Sequence, residues 1–194
     1  MKATKDSEAG LVAFAEPKSA AAEAYRTLRT NITFASPDKP VHVILATSTS
    51  PDDGKSTTIA NLAITFAASG ATTVLVDGDL RRPHLHTIFG LPNEQGLTTL
   101  VVDMARGDTP AIPLQNTQVA NLQVLTSGPV PPNPSEILAS QKMGELIEML
   151  RGKADYVLID TPPIIAVTDA AVLSDSRCRP DPSSSSDLLC RHAV

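Results

Sequence analysis

The stretch that most constrains this chain is Thr49-Ser-Pro-Asp-Asp-Gly-Lys-Ser-Thr57, which lies between the apolar run at 41–46 and a helical pattern that opens at Ser56. Strand, loop and helix in that order aim successive backbone N–H groups at one spot, at the positive end of the helix dipole, where a phosphate chain can be held. Lys55 is then placed to reach the β- and γ-phosphates of a nucleotide, and the Ser56 hydroxyl to ligate Mg²⁺. The pattern G-x-x-x-x-G-K-[ST] is met except at its first position, where Thr49 stands for glycine. The residues expected to bind the nucleotide are Ser50, Pro51, Asp52, Asp53, Gly54, Lys55, Ser56 and Thr57. Asp52 and Asp53 set two carboxylates beside the phosphates, so tight binding requires both side chains to point outward.

The rest of the chain supplies strands and helices around this loop. Leu11-Val-Ala-Phe14 reads as an edge strand stopped by Pro17, so residues 1–17 are a linker or edge segment. Over residues 18–34, Tyr25, Leu28 and Ile32 recur at helical spacing among helix-favouring alanines. Glu23, Arg26 and Arg29 lie three apart on the polar side of that helix, which on the residues alone is a solvated face with one weak i,i+3 ion pair. Residues 36–40 form a turn-rich connector. The helix after the loop should run to about Ser69, with Ile59, Leu62, Ala63 and Phe66 buried and Gly70 as its stop.

Thr72-Thr-Val-Leu-Val76 reads as a strand of a buried parallel sheet, ending in Asp77-Gly-Asp79. Carboxylates just past the carboxyl end of a strand lie where ligands bind in open α/β sheets. One can reach the loop's Mg²⁺ and the other can act as a base near the γ-phosphate, unless both are spent on an Asx turn capping the next helix. Residues 84–120 read as loop-rich; His84 and His86 have no third ligand in sequence and do not predict a metal centre. Residues 121–126 alternate like a strand. One helix then opens with Asn133 as N-cap, Pro134 at N1 and Glu136 at N3, its core face being Ile137, Leu138, Leu146, Ile147 and Leu150. The last apolar strand, Tyr156-Val-Leu-Ile-Asp160, ends in one carboxylate suited to Mg²⁺. The fold class expected is α/β, a doubly wound, mostly parallel sheet.

Composition narrows the function. A net charge of -5 gives no basic footprint for nucleic acid, and 3% aromatics with no Trp offer no base-stacking platform. The N-terminal residues lack the apolar core of a signal peptide, and no run of about 18 apolar residues occurs, which predicts a cytoplasmic chain. Cys178 and Cys190 lie in a polar tail without metal-site spacing.

The loop at 49–57, then Val74-Leu-Val-Asp-Gly-Asp-Leu-Arg-Arg-Pro83, then Tyr156-Val-Leu-Ile-Asp-Thr-Pro-Pro163, resemble in order and spacing the bacterial tyrosine kinases that regulate capsule and exopolysaccharide synthesis. The resemblance extends to Glu23-Ala-Tyr-Arg-Thr-Leu-Arg29, similar to that family's E-x-x-R-x-x-R oligomerisation motif, and to the Pro-rich segment at 128–136. It spans about residues 11–175. It implies a P-loop NTPase domain of the SIMIBI, ParA/MinD-like type over residues 18–175, with ATP and Mg²⁺ as cofactors. It also implies Lys55 and Ser56 in Walker A, Asp77 and Asp79 in Walker A′, and Asp160 in Walker B. Lys55, Asp77 and Asp79 are then catalytic, and Ser56, Asp79 and Asp160 hold the metal. Glu23, Arg26 and Arg29 would join subunits in a ring, and a membrane polysaccharide co-polymerase would hold the kinase at the inner face of the cell membrane.

ParA/MinD ATPases carry a signature lysine where Ser50 stands here, which favours the kinase branch. Three features depart from the kinases. Asp52 replaces a glycine of the family loop, and Tyr25 and Tyr156 are the only tyrosines, where the family has a C-terminal tyrosine cluster. The family pattern also stops near Asp175, before a polar tail at 176–194 that reads as disordered, as a frameshift would leave it. The expectation is therefore a kinase domain incomplete at its C-terminal end and poor in activity. The alternatives are a ParA/MinD-like ATPase and a non-catalytic nucleotide-binding or inert regulatory module.

Overall fold

A computed structural model describes residues 10–35, 40–50 and 53–163. Helices α1 (Val12–Ala15) and α2 (Ala20–Phe34) precede the first strand, β1 (Val43–Ala46). Then come α3 (Lys55–Ala68), β2 (Thr73–Asp77), α4 (Leu85–Phe89), α5 (Leu97–Arg106), β3 (Gln115–Asn116) and β4 (Leu122–Leu125). Helices α6 (Pro134–Ala139) and α7 (Gln141–Arg151) lead to β5 (Tyr156–Asp160). The strands form one sheet in the order β1-β5-β2-β4-β3, parallel except for the short β3.

Apolar residues run continuously along β2 and β5 because both faces of these strands are covered. Val74, Val76, Val157 and Ile159 pack with α5, α6 and α7 on one face. Leu75 and Leu158 point the other way, to Leu11, Ala13 and the α3 residues Ile59, Ala63 and Phe66. This is the doubly wound α/β arrangement expected from the sequence. Helix α3 is buried on all sides from Ile59 to Ala67, with sheet beneath it and α1 and α2 above.

Three expectations are corrected. Leu11-Val-Ala-Phe14 contributes to a helical turn, not an edge strand: the Ala13 N–H donates to Asn61 Oδ1 of α3 at 2.8 Å, and Leu11 and Ala13 are buried there. Residues 84–120 hold two helices and β3; the β-branched Thr98, Thr99, Val101 and Val102 hide a helical stripe of Leu97, Leu100, Val101 and Met104. The single helix expected after Asn133 is two, because Ser140 is extended (φ -68°, ψ 149°) and its hydroxyl accepts from the Met143 N–H as a new N-cap. Asn133 makes no side-chain cap; its amide donates to Glu136 instead.

No helix among the described residues is long and apolar enough to cross a membrane. Pro51 and Asp52 of the loop, most of the 36–40 connector, and the expected tail at 176–194 lie outside the described residues.

Candidate active site

Two loops meet at the carboxyl edge of the sheet. Gly54 caps α3 in the left-handed conformation (φ +76°), so the second glycine of the loop motif is required by backbone geometry. Thr49 is not under that demand, since Asn121 is the one described non-glycine residue with positive φ, and threonine is tolerated there. Asp53 turns back onto the loop, where its Oδ2 accepts the Ser50 N–H at 3.0 Å.

Lys55 and Ser56, the first residues of α3, converge on Asp160 at the end of β5. The Lys55 ammonium pairs with Asp160 Oδ1 and lies 3.6 Å from Asp79 Oδ2, while the Ser56 hydroxyl donates to Asp160 Oδ2. Asp160 is fully buried. Burial pushes its carboxyl pKa up, and Lys55 and Ser56 pull against that rise.

Asp77 ends β2 directly opposite Asp160 in the parallel register. Its Oδ2 accepts the N–H groups of His84 (3.2 Å) and Leu85 (3.0 Å), while its Oδ1 is buried with no partner. Burial first, and the nearby Asp160 next, raise the Asp77 carboxyl to about 8. Asp79 Oδ1 accepts the Arg82 N–H at 3.1 Å. The capping alternative is thus realised in half: each of Asp77 and Asp79 spends one oxygen on the turn and keeps the other.

Gly78 is the residue that sequence reasoning passed over. Its N–H donates to the Asp160 carbonyl at 2.9 Å, and a Cβ there would lie 2.7 Å from that oxygen. The signal was the glycine between two aspartates, which lets β2 and β5 close on each other. On the other side, the Thr161 N–H donates to the Ala46 carbonyl at 3.0 Å, tying β5 to the end of β1. A cleft of about 510 Å³ opens between the loops, lined by Ser50, Gly54, Lys55, Asp79, Arg81 and His84 among others.

Ser56, Asp79 and Asp160 are hard oxygen donors that already surround a positive charge, the Lys55 ammonium, so the set fits Mg²⁺. No cluster of three His, Cys, Asp or Glu suited to a metal occurs among the described residues. Glu23, Arg26 and Arg29 are not brought to the cleft; they lie on α2, where Arg26 pairs with Glu23 at 2.8 Å.

A phosphate loop between a parallel strand and a helix, with its lysine set against a carboxylate on the neighbouring strand, defines a P-loop NTPase. Residues 40–174 match the ParA family described as NUBPL iron-transfer P-loop NTPase. That span contains no cysteine, so it shares the nucleotide fold without the thiolates that hold iron clusters. The septum site-determining protein MinD of Pyrococcus horikoshii OT3, solved with Mg-ADP, has the same fold: TM-score 0.57, 27% identity, covering 70% of this chain and 54% of that one.

Within this class the chain belongs to the bacterial tyrosine-protein kinase family. It is 46% identical over 165 residues to the tyrosine-protein kinase YwqD of Bacillus subtilis (strain 168), an alignment covering 85% of this chain and 68% of the relative. The kinase domain of the Escherichia coli tyrosine kinase ETK superposes with a TM-score of 0.79 at 37% identity, over 86% of this chain and 64% of that one.

Proposed function

We propose that the chain is an ATP-dependent protein-tyrosine kinase acting in exopolysaccharide or capsule synthesis and export. The observation that carries this reading is the convergence of Lys55, Ser56, Asp79 and Asp160 on one point of the cleft, with Asp77 behind them. The backbone at 53–57 cradles the phosphates, and Lys55 leaves its carboxylates to meet the β- and γ-oxygens. Ser56, Asp79 and Asp160 would hold Mg²⁺, which when bound neutralises charge on the transferring phosphoryl group. A tyrosine hydroxyl entering the cleft meets Asp79, which lines it. Asp77, raised to about 8 and fully buried behind the cleft, keeps its proton at neutral pH, so Asp79 is the carboxylate placed to take the tyrosine proton.

Neither Tyr25 nor Tyr156 lines the cleft. Tyr25 is half-buried on α2, and the Tyr156 ring packs against Phe66 with centroids 4.2 Å apart, away from the cleft. Assembly through α2 into a ring, and docking on a membrane polysaccharide co-polymerase at the inner face of the cell membrane, belong to the same proposal. A ParA/MinD-like ATPase is the second reading, supported by the ParA family match and opposed by Ser50 at the signature-lysine position.

Incubation with ATP labelled at the γ-phosphate, in the presence of a tyrosine-bearing acceptor, separates the readings. Label on the acceptor's tyrosine is the expected result. Label released as inorganic phosphate with none on protein would make the chain an ATPase, and neither would leave a nucleotide-binding or regulatory module.

A further inference from the structure

The three charged residues of the E-x-x-R-x-x-R pattern part company on α2. Glu23 and Arg26 pair with each other on the exposed side, and Arg26 also donates to the Pro17 carbonyl at 2.6 Å. Arg29 turns the other way, onto α3, where its Nη1 donates to the Thr65 carbonyl at 2.8 Å. Thr65 is one of the last four residues of that helix, whose carbonyls have no regular intrahelical partner. The donors that close the helix go elsewhere: the Ser69 N–H bonds to Phe66 and the Gly70 N–H to Ala67. The Thr65 oxygen is left to the guanidinium, at the negative end of the helix dipole, where a cation is favoured.

A second link holds the same helix nearer its other end. Asn61 is fully buried; its Nδ2 donates to the Gly10 and Thr57 carbonyls, each at 2.8 Å, and its Oδ1 accepts from Ala13. The two N-terminal helices are therefore fastened to α3 at two points, and α3 begins with Lys55 and Ser56.

We infer that Arg29 is a positioning residue of the nucleotide site, anchoring the C-terminal end of the phosphate-loop helix, and that it is not a contact between subunits. Subunit contact through this pattern falls to Glu23 and Arg26. The inference rests on the proposed nucleotide role of α3, but its primary test does not.

Arg29→Met in the nucleotide-free full chain should raise amide hydrogen exchange at residues 66–70 by about tenfold, the effect of removing one charge-assisted hydrogen bond at a helix end. Its mass by light scattering should equal that of the parent. The Glu23→Ala/Arg26→Ala protein should keep parental exchange at those amides. If Arg29→Met does not fold, Arg29→Gln carries the same reading. Parental exchange at 66–70 in a folded Arg29 variant overturns the inference, and so does an assembly that Arg29→Met breaks as fully as the double variant does. Titration with a fluorescent ATP analogue reads the positioning role: the folded Arg29→Met protein should bind it several-fold more weakly than the parent, equal affinity overturns the inference, and if the parent itself binds none, the nucleotide reading is wrong while the exchange result on Arg29 stands.

Discussion

Asp160 and Asp77 end neighbouring parallel strands, stand opposite each other in register, and are both fully buried. Their surroundings differ. On the β5 side, Asp160 is met by an ammonium and a hydroxyl from the start of α3. On the β2 side, Asp77 is met by two backbone N–H groups and retains one oxygen with no partner. The same residue type at the same depth is therefore matched by a cation in one place and driven toward its protonated form in the other. Partner chemistry, more than burial, divides the work of holding charge from that of holding a proton.

The largest break in this pairing is Lys55→Ala. It removes the cation facing Asp160 and leaves a buried carboxylate without a counter-charge, a loss of about 3–5 kcal/mol unless the carboxyl takes up a proton. Binding of a fluorescent ATP analogue should disappear with it, and denaturant unfolding should show the stability change. Unchanged affinity would mean that Lys55 does not face the phosphates.

Asp77→Asn tests the β2 side. The folded-state value of about 8 lies above the unfolded value of 3.8, so between those limits the folded chain holds a proton that the unfolded chain has released. Parental stability should fall as pH rises through that window, by at most about 1.4 kcal/mol per pH unit, and level off above it. Asn carries no titrating proton, so the variant's unfolding free energy should lack this part of the slope. Identical pH profiles in the two proteins would show that Asp77 is ionised throughout.

Gly78→Ala presses on the seam between the two sides. The added methyl would lie against the Asp160 carbonyl and 3.2 Å from Ile159 Cγ2. We expect a loss of about 2 kcal/mol in thermal or denaturant unfolding, as overpacking against backbone costs. The smallest effect is at Thr49→Gly, which restores the motif's first glycine. Since Thr49 is not in the left-handed region, nucleotide affinity should not improve, and added chain entropy should cost less than about 1 kcal/mol.

The site was legible because its parts each sit at a strand end or helix start that apolar patterning marks. Residues 156–160, read as the last strand, are β5, and the expected strand at 72–76 overlaps β2 almost completely. What escaped was set by long-range partners. Leu11-Val-Ala-Phe14 is apolar enough for a strand, and its contact with Asn61, nearly 50 residues away, helps hold it as a helical turn. Asn61 itself reads as an ordinary polar residue within a helix. Helix α5 was bracketed by Gly96 and Gly107, but its β-branched content argued against a helix until tertiary packing overrode it. The division of Glu23, Arg26 and Arg29 could not be read from a three-residue spacing, which places them on one side of α2 without saying which neighbour each one finds.

Strand β5 is the last described strand in sequence, yet it lies between β1 and β2. Its Val157 pairs with Val43, 114 positions earlier. During synthesis β1 and β2 must wait, each with an open edge, until residues 156–160 leave the ribosome. A sheet that closes through such distant pairings folds slowly and keeps apolar edges available to chaperones or to aggregation in the meantime. The carboxylate that faces Lys55 is the last residue of that inserted strand, so closing the gap between β1 and β2 and giving Lys55 its partner coincide, and a nascent chain short of residue 160 has neither.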